Sequence, residues 1–344
     1  MSENTKIEWA DSSWSPWRGC TKVSAGCANC YAETLSKRNP AVLGQWGKGN
    51  PRVLAKNWND PVRWNKTFVL DERFPLPPND EAGTIKMRRR RIFPSLCDWL
   101  DDEVPIEWLA RFLGLIQATP NIDWLLLTKR PENWESRIER VMIWAAQNVD
   151  FQKLEPVRKL CDNWLCSNGR FSNYPHIQPP ANVWIGTSVE DQANADRRIP
   201  ALLKIPAWLR FLSVEPMLGP ADLSKWIYDR RAEIRAAMFG PAALNRDQAE
   251  SVIPECPIGW VIVGGESGPG ARPCNAEWIR ELIRQCASAK VPCFVKQLGA
   301  VAYGAKDGAY NDYEWAKFIK HPKGGDPSEW PEDLRVRQMP EVKP

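Results

Sequence analysis

Histidine is almost missing from this sequence of 344 residues: the two present, His176 and His321, each stand beside a proline in loop-like stretches. Metallohydrolase barrels, Ser/His/Asp hydrolases and Cys/His proteases all depend on a well-placed imidazole. Neither histidine ends a strand-like run, so those classes fall down the list. Long apolar runs are also lacking. None approaches the roughly 20 residues that a membrane span requires, so no membrane partner is expected. The first residues, MSENTKIEWADSS, hold no apolar signal core. A cytoplasmic, reducing setting follows as the expectation, with the ten cysteines acting mostly as free thiols or metal ligands. A net charge of only +4 is too small to identify a polyanionic partner by itself.

Against that background two features are abundant. The run KMRRRRI, Lys86 to Ile92, places five basic residues in six positions. It reads either as a phosphate-attracting patch or as a solvated loop leading into a strand. There are also 19 tryptophans, most expected in core and rim positions. A few are candidates for a surface on which bases or an adenine stack.

Six short, nearly continuous apolar runs end in polar residues: RIFPSL before Cys97 and Asp98, WLLLTKR at 124–130, VWIGTSVE at 183–190, RFLSVEP at 210–216, WVIVGGES at 260–267 and CFVKQLG at 293–299. Such runs suit strands buried on both faces. Helical patterns lie between several of them, as in PIEWLARFLGLIQ (105–117), DQANADRRIPALLK and NAEWIRELIRQCASA. Alternation of this kind implies parallel βαβ units. The fold expected is α/β, a single domain over residues 1–344 built as a partial (β/α)6-type parallel barrel. A further short strand is expected near Trp14 to Trp17. A doubly wound open sheet is the alternative, because strand order cannot be read from spacing alone. Two insertions are expected, at about 131–182 and 219–258. The first carries a helix (134–148) and then a loop with Cys161 and Cys166; the second carries the helix DLSKWIYDRRAEIRAAM. Residues 303–344 read as an extended C-terminal strap.

In parallel barrels the active site lies at the carboxyl ends of the strands. Those ends supply Asp98, Thr128, Lys129 and Arg130, then Ser188, Glu190 and Glu215, then Gly264, Gly265, Glu266 and Lys296. A mouth so rich in charge and hydrogen-bonding groups argues for an anionic or zwitterionic ligand, and for an enzyme. The segment GGESGPG reads either as an anion-binding nest of backbone N–H groups or as a tight βα turn. Cys97 and Cys274 near the mouth read as hydrogen-atom donors or as packed small residues.

The loop GCTKVSAGCANCYAE, within a region spanning residues 14–38, holds Cys20, Cys27 and Cys30 in the spacing C-x6-C-x2-C. Three explanations stand. Structural zinc wants four ligands; no fourth cysteine or histidine is near in sequence, which leaves Cys97 or Cys161 to fold back as the fourth. Burial of all three is disfavoured by the Gly and Lys residues around them. An iron–sulfur cluster held by three thiolates would leave one iron open to substrate or cofactor.

The loop resembles the cluster-binding loop of the radical S-adenosylmethionine (SAM) superfamily, with Tyr31 as the aromatic neighbour of the last cysteine. More specifically, the chain resembles a phage- and prophage-encoded family of radical-SAM-like proteins, distantly similar to spore photoproduct lyase. The matching stretches are WSPWRGCTKVSAGCANCYAE, WLLLTKRPENW, NVWIGTSVEDQANADRRIP, RFLSVEPMLGP, VIVGGESGPGARP, FVKQLG and EWPEDLRVRQMP. The resemblance implies a [4Fe–4S] cluster on Cys20, Cys27 and Cys30, with SAM chelating the fourth iron. It implies reductive cleavage of SAM to a 5′-deoxyadenosyl radical that abstracts hydrogen, fed by an electron donor such as flavodoxin or ferredoxin. In this frame Asp98, Thr128, Lys129, Ser188, Glu190, Glu215, Gly264, Gly265 and Glu266 are the expected SAM-binding residues. Cys97 and Glu266 are the expected catalytic ones. Two departures accompany the match: the first cysteine gap is six residues where the superfamily usually has three, and Gly264-Gly265-Glu266 comes late in the chain. Nucleic acid, with a modified base in phage DNA as the specific case, is the expected substrate. The competing class is a non-catalytic nucleic-acid-binding protein with structural zinc, and a third is a barrel that keeps its cluster without SAM chemistry.

Overall fold

The computed structural model describes residues 2–70, 87–148, 150–166, 179–228, 257–304 and 319–341. Seven strands form one sheet: β1 (Ser12–Ser13), β2 (Arg90–Phe93), β3 (Ile122–Thr128), β4 (Val183–Ser188), β5 (Leu209–Val214), β6 (Trp260–Gly264) and β7 (Cys293–Gln297). The pairs β1–β2, β2–β3, β5–β6 and β6–β7 are parallel. Strand order follows chain order without reversal. That is the winding of a parallel α/β barrel; a doubly wound sheet reverses direction at a switch point. All six apolar runs became strands. The count is seven rather than six, and the added strand is Ser12–Ser13. Trp17–Arg18 instead pairs antiparallel with Val53–Leu54 in a separate ribbon.

The chain divides into two compact units, Met1–Lys22 with Ala32–Ile185 and Ile205–Trp208, and Val23–Tyr31 with Gly186–Lys204 and Leu209–Pro344. In the first unit, β3 buries six of its seven residues, which is why its stretch from Trp124 to Leu127 is wholly apolar. Helix α2 (Ile106–Ala118) sets Leu109, Phe112, Leu113 and Ile116 inward behind Pro105 at its N-cap. Helix α3 (Trp134–Gln147) packs on it.

Cys161 and Cys166, expected in a loop, lie on a further helix, α4 (Phe151–Cys166). Pro156 within it argues locally against a helix. Val157, Cys161, Trp164 and Leu165 nevertheless fall on one face and are buried. Trp164 stacks on Trp99 at 6.0 Å between ring centroids and meets Trp134 edge-on at 5.7 Å. Burial of that face outweighs the local propensity.

The arginine run is also spent inside this unit. Arg88 forms a two-point pair with Asp11 at 2.6 and 2.9 Å, and Arg89 lies 3.4 Å from Asp123. Arg90 donates to Ser12 Oγ at 3.0 Å, and the Arg91 guanidinium lies 5.5 Å from the centre of the Trp184 ring. Arg90 and Arg91 are buried. The run is therefore a charged strand with internal partners, not an open patch; Lys86 lies outside the described residues.

In the second unit, α5 (Gln192–Leu203) follows β4, and α6 (Ala276–Ala289) packs on β6 and β7. The C-terminal strap pairs with β7: Val295 N–H donates to Val336 O at 2.8 Å and Gln338 N–H to Cys293 O at 2.8 Å. Most of the helix expected in the second insertion lies outside the described residues. Gly186 in β4 is required by packing, since a Cβ there would lie 2.4 Å from the Phe211 ring. Gly186→Ala should cost about 1–3 kcal/mol of stability. Pairing it with Phe211→Leu should return part of that loss, as read from urea denaturation midpoints.

Candidate functional site

In the second unit, segment 23–31 carries Cys27 and Cys30 between an extended Ser24 and the start of helix α1 (Tyr31–Arg38). Two acidic residues from strand ends hold it. Glu190, just after β4 and fully buried, accepts from Ser24 Oγ at 2.8 Å and from Arg198 Nη1 at 2.7 Å. The same Arg198 nitrogen donates to Ser188 O at 2.9 Å. Gly26 lies so close that a Cβ would come within 2.4 Å of Glu190 Cγ; only glycine lets the loop settle there.

At the other end of the loop, Glu266 accepts from Asn29 Nδ2 at 3.0 Å and from the Arg272 backbone N–H at 2.8 Å. The Arg272 side chain binds both its carboxylate oxygens, at 2.9 and 2.6 Å. Arg272 also donates to Ala25 O at 3.0 Å, and Asn29 to Gly270 O at 2.9 Å. Charge-assisted bonds of this kind are about twice as strong as neutral ones. Cys27 Sγ lies 3.9 Å from Ser24 Oγ.

The two glycines before Glu266 have a steric task. Register between β6 and β7 shifts between Val263 and Gly264. A Cβ on Gly265 would lie 2.2 Å from Leu298 O, and one on Gly264 2.6 Å from Glu215 Oε1. Gly265 N–H donates to Gln297 O at 3.1 Å, so it is not turned to an incoming anion. The segment is a crowded turn that delivers Glu266 to the cysteine loop. Glu215 pairs with Lys296 at 3.0 Å, both partly exposed. Cys274 is buried, and desolvation pushes its thiol up to about 12.

The first unit holds Cys20, Cys97, Asp98, Thr128 and Lys129. Asp98, buried, accepts from Thr128 Oγ1 at 2.6 Å, Lys129 N–H at 3.0 Å, Leu100 N–H at 3.0 Å and Arg130 Nη1 at 2.8 Å. Its oxygens are thus occupied by protein donors. Arg130 Nη1 also reaches Cys20 Sγ at 3.6 Å, and Nη2 donates to Thr21 O at 2.7 Å. Burial, with Asp98 beside it, pushes Cys20 up to about 12 and Cys97 well above the ordinary thiol range.

None of the described cysteines is in a disulfide; Cys20, Cys27 and Cys30 are partly buried, whereas Cys161, Cys274, Cys286 and Cys293 are buried. Among the described residues, no three His, Cys, Asp or Glu side chains are gathered so as to hold a metal ion. Tetrahedral zinc with 2.3 Å bonds needs sulfurs about 3.8 Å apart. Thiolates on a four-iron cluster bind different irons and stand farther apart. As a donor set, three thiols within eleven residues of sequence are one short of the four ligands that structural zinc takes, and three are what an iron–sulfur cluster with one open iron would need. Spacing and strand ends showed the thiols and the acids. They did not show the partners that fix them: Ser24, Gly26 and Asn29 lie in plain view among the cysteines, whereas Arg198 and Arg272 are brought in by helix and turn.

Removing Glu190 leaves Arg198 buried and unpaired, so Glu190→Ala should cost about 3–5 kcal/mol in chemical denaturation. Burial alone would raise the Glu266 carboxyl, but its bonds from Arg272 and Asn29 hold it below the ordinary 4.5. A depressed folded value gives stability above that ordinary value, lost as pH falls through the folded one. Hydrogen-exchange protection of residues 24–30 should therefore hold at about pH 6 and fall below about pH 4. Glu266→Gln should lower it at both.

The family model described as "Protein of unknown function (DUF5131)" matches residues 4–324. No curated protein and no solved structure matches the chain. Because the match spans nearly the whole sequence, the chain belongs to the DUF5131 family, whose function its description leaves open.

Proposed function

We propose that this protein is a radical SAM enzyme, with Cys20, Cys27 and Cys30 holding a [4Fe–4S] cluster and SAM completing the fourth iron. The observation that carries the reading is the double anchorage of the Cys27–Cys30 loop by Glu190 and Glu266. Burying two carboxylates to fix one short loop is costly, and the side chains that distinguish that loop are thiols. When bound, the reduced cluster supplies the electron that cleaves the sulfonium C–S bond of SAM; the protein orients and shields the reactants.

The residues divide their tasks differently from the sequence expectation. Glu190 and Glu266 hold the loop, and Asp98 holds Arg130. Glu215 and Lys296, paired yet partly exposed at their strand ends, suit the ammonium and carboxylate of a zwitterion such as the methionine end of SAM. The reading requires an external one-electron donor of the flavodoxin or ferredoxin kind. It takes no support for a nucleic-acid substrate from Arg88 to Arg91, whose side chains are engaged internally.

The test is anaerobic reconstitution with iron and sulfide, then incubation with SAM and dithionite. Mass spectrometry should find 5′-deoxyadenosine from the wild type and at least a hundredfold less from Cys30→Ala, on the order expected when an essential group is lost. A colourless protein that takes up zinc, holds no iron and yields no product would sink the proposal and favour a structural metal clasp.

A further inference from the structure

A thiolate at Cys20 has awkward neighbours. Asp98 and Asp101 both act on it electrostatically, and metal binding would add a third negative charge by removing the thiol proton. Arg52 is committed to Asp101 at 2.8 Å, with both side chains wholly buried. Arg130 is the guanidinium that reaches the sulfur. Its position is overdetermined: Nη1 is shared between Asp98 Oδ2 at 2.8 Å and Cys20 Sγ at 3.6 Å, while Nη2 is fixed on Thr21 O at 2.7 Å. Its backbone N–H is tied to Thr128 Oγ1 at 2.9 Å. Thr128, Lys129 and Leu100 in turn lock the Asp98 carboxylate that aims it.

Hydrogen bonds to ligating sulfur are a principal lever on cluster potential, because they draw electron density from the thiolate and favour the reduced state. We propose that Arg130 is a positioning residue that hydrogen-bonds Cys20 Sγ in the cluster-bound protein and raises the cluster's midpoint potential, with Asp98 as the group that orients it. The inference rests on the iron–sulfur reading and gives Asp98 a task other than the SAM binding expected of it.

The experiment compares the full-length wild type with Arg130→Lys, Asp98→Asn and the double variant Arg130→Met/Asp98→Asn, which leaves no orphan carboxylate. Each is reconstituted with iron and sulfide, assayed for both, and titrated spectroelectrochemically without SAM. In the double variant the equilibrium constant for one-electron reduction should fall at least tenfold, a shift of about 59 mV to more negative potential. Arg130→Lys should fall between it and the wild type and carries the test if the double variant does not fold; Asp98→Asn, which removes a negative charge and keeps the guanidinium, is the charge control and should not fall below the wild type. Iron-loaded Arg130 variants with the wild-type potential would overturn the assignment. A wild type that takes up no iron would instead overturn the cluster reading on which it stands.

Discussion

Everything chemical in the second unit depends on two carboxylates being held where water cannot dilute them. Glu190 is balanced by Arg198, and Glu266 by Arg272. Each then has acceptor capacity left for a donor on the cysteine loop, Ser24 for one and Asn29 for the other. Without the arginines, two buried carboxylates would be left without their ion-pair partners. Without the acids, segment 23–31 would lose its bonds from Ser24 and Asn29 to the strand ends. The loop is thus tied in space to the ends of β4 and β6, although more than 150 residues of sequence lie between Ser24 and Glu190.

The first unit applies the same logic to a different sulfur. Asp98 gathers a hydroxyl, two backbone N–H groups and a guanidinium, and the guanidinium turns its remaining capacity toward Cys20. In the first unit the acid acts on its thiol-bearing segment through Arg130; in the second, Glu190 and Glu266 bond the cysteine loop directly. Asp98, Glu190 and Glu266 are bonded to protein donors, while Glu215 with Lys296 keeps partial access to solvent.

The strands were legible because each is buried on both faces, and burial on both faces leaves a continuous apolar run. Helices α2, α3, α5 and α6 were legible from stripe and cap. Helix α4 was not, because Pro156 contradicts it locally and the stacked tryptophans that overrule it come from elsewhere in the chain. The arginine run misled for a related reason. Four like charges in a row suggest a solvated face, but Asp11, Ser12 and Asp123 arrive from other strands to receive them. The cysteine triplet was visible as spacing. Its anchors were not, since a hydrogen bond between residues 29 and 266 leaves no local trace.

The strap that follows residue 319 has a meaning for how this chain behaves as a polymer. Strand β7 ends the sheet, and an uncovered final strand is a template onto which another molecule adds. Val336 and Gln338 occupy its backbone positions, and Arg337 bridges to Phe294. Residues 336–338 therefore cover the backbone edge of β7. A chain cut before Arg335 would keep every residue of the cysteine loop and expose a sticky border, and would be lost to aggregation rather than to any defect in chemistry.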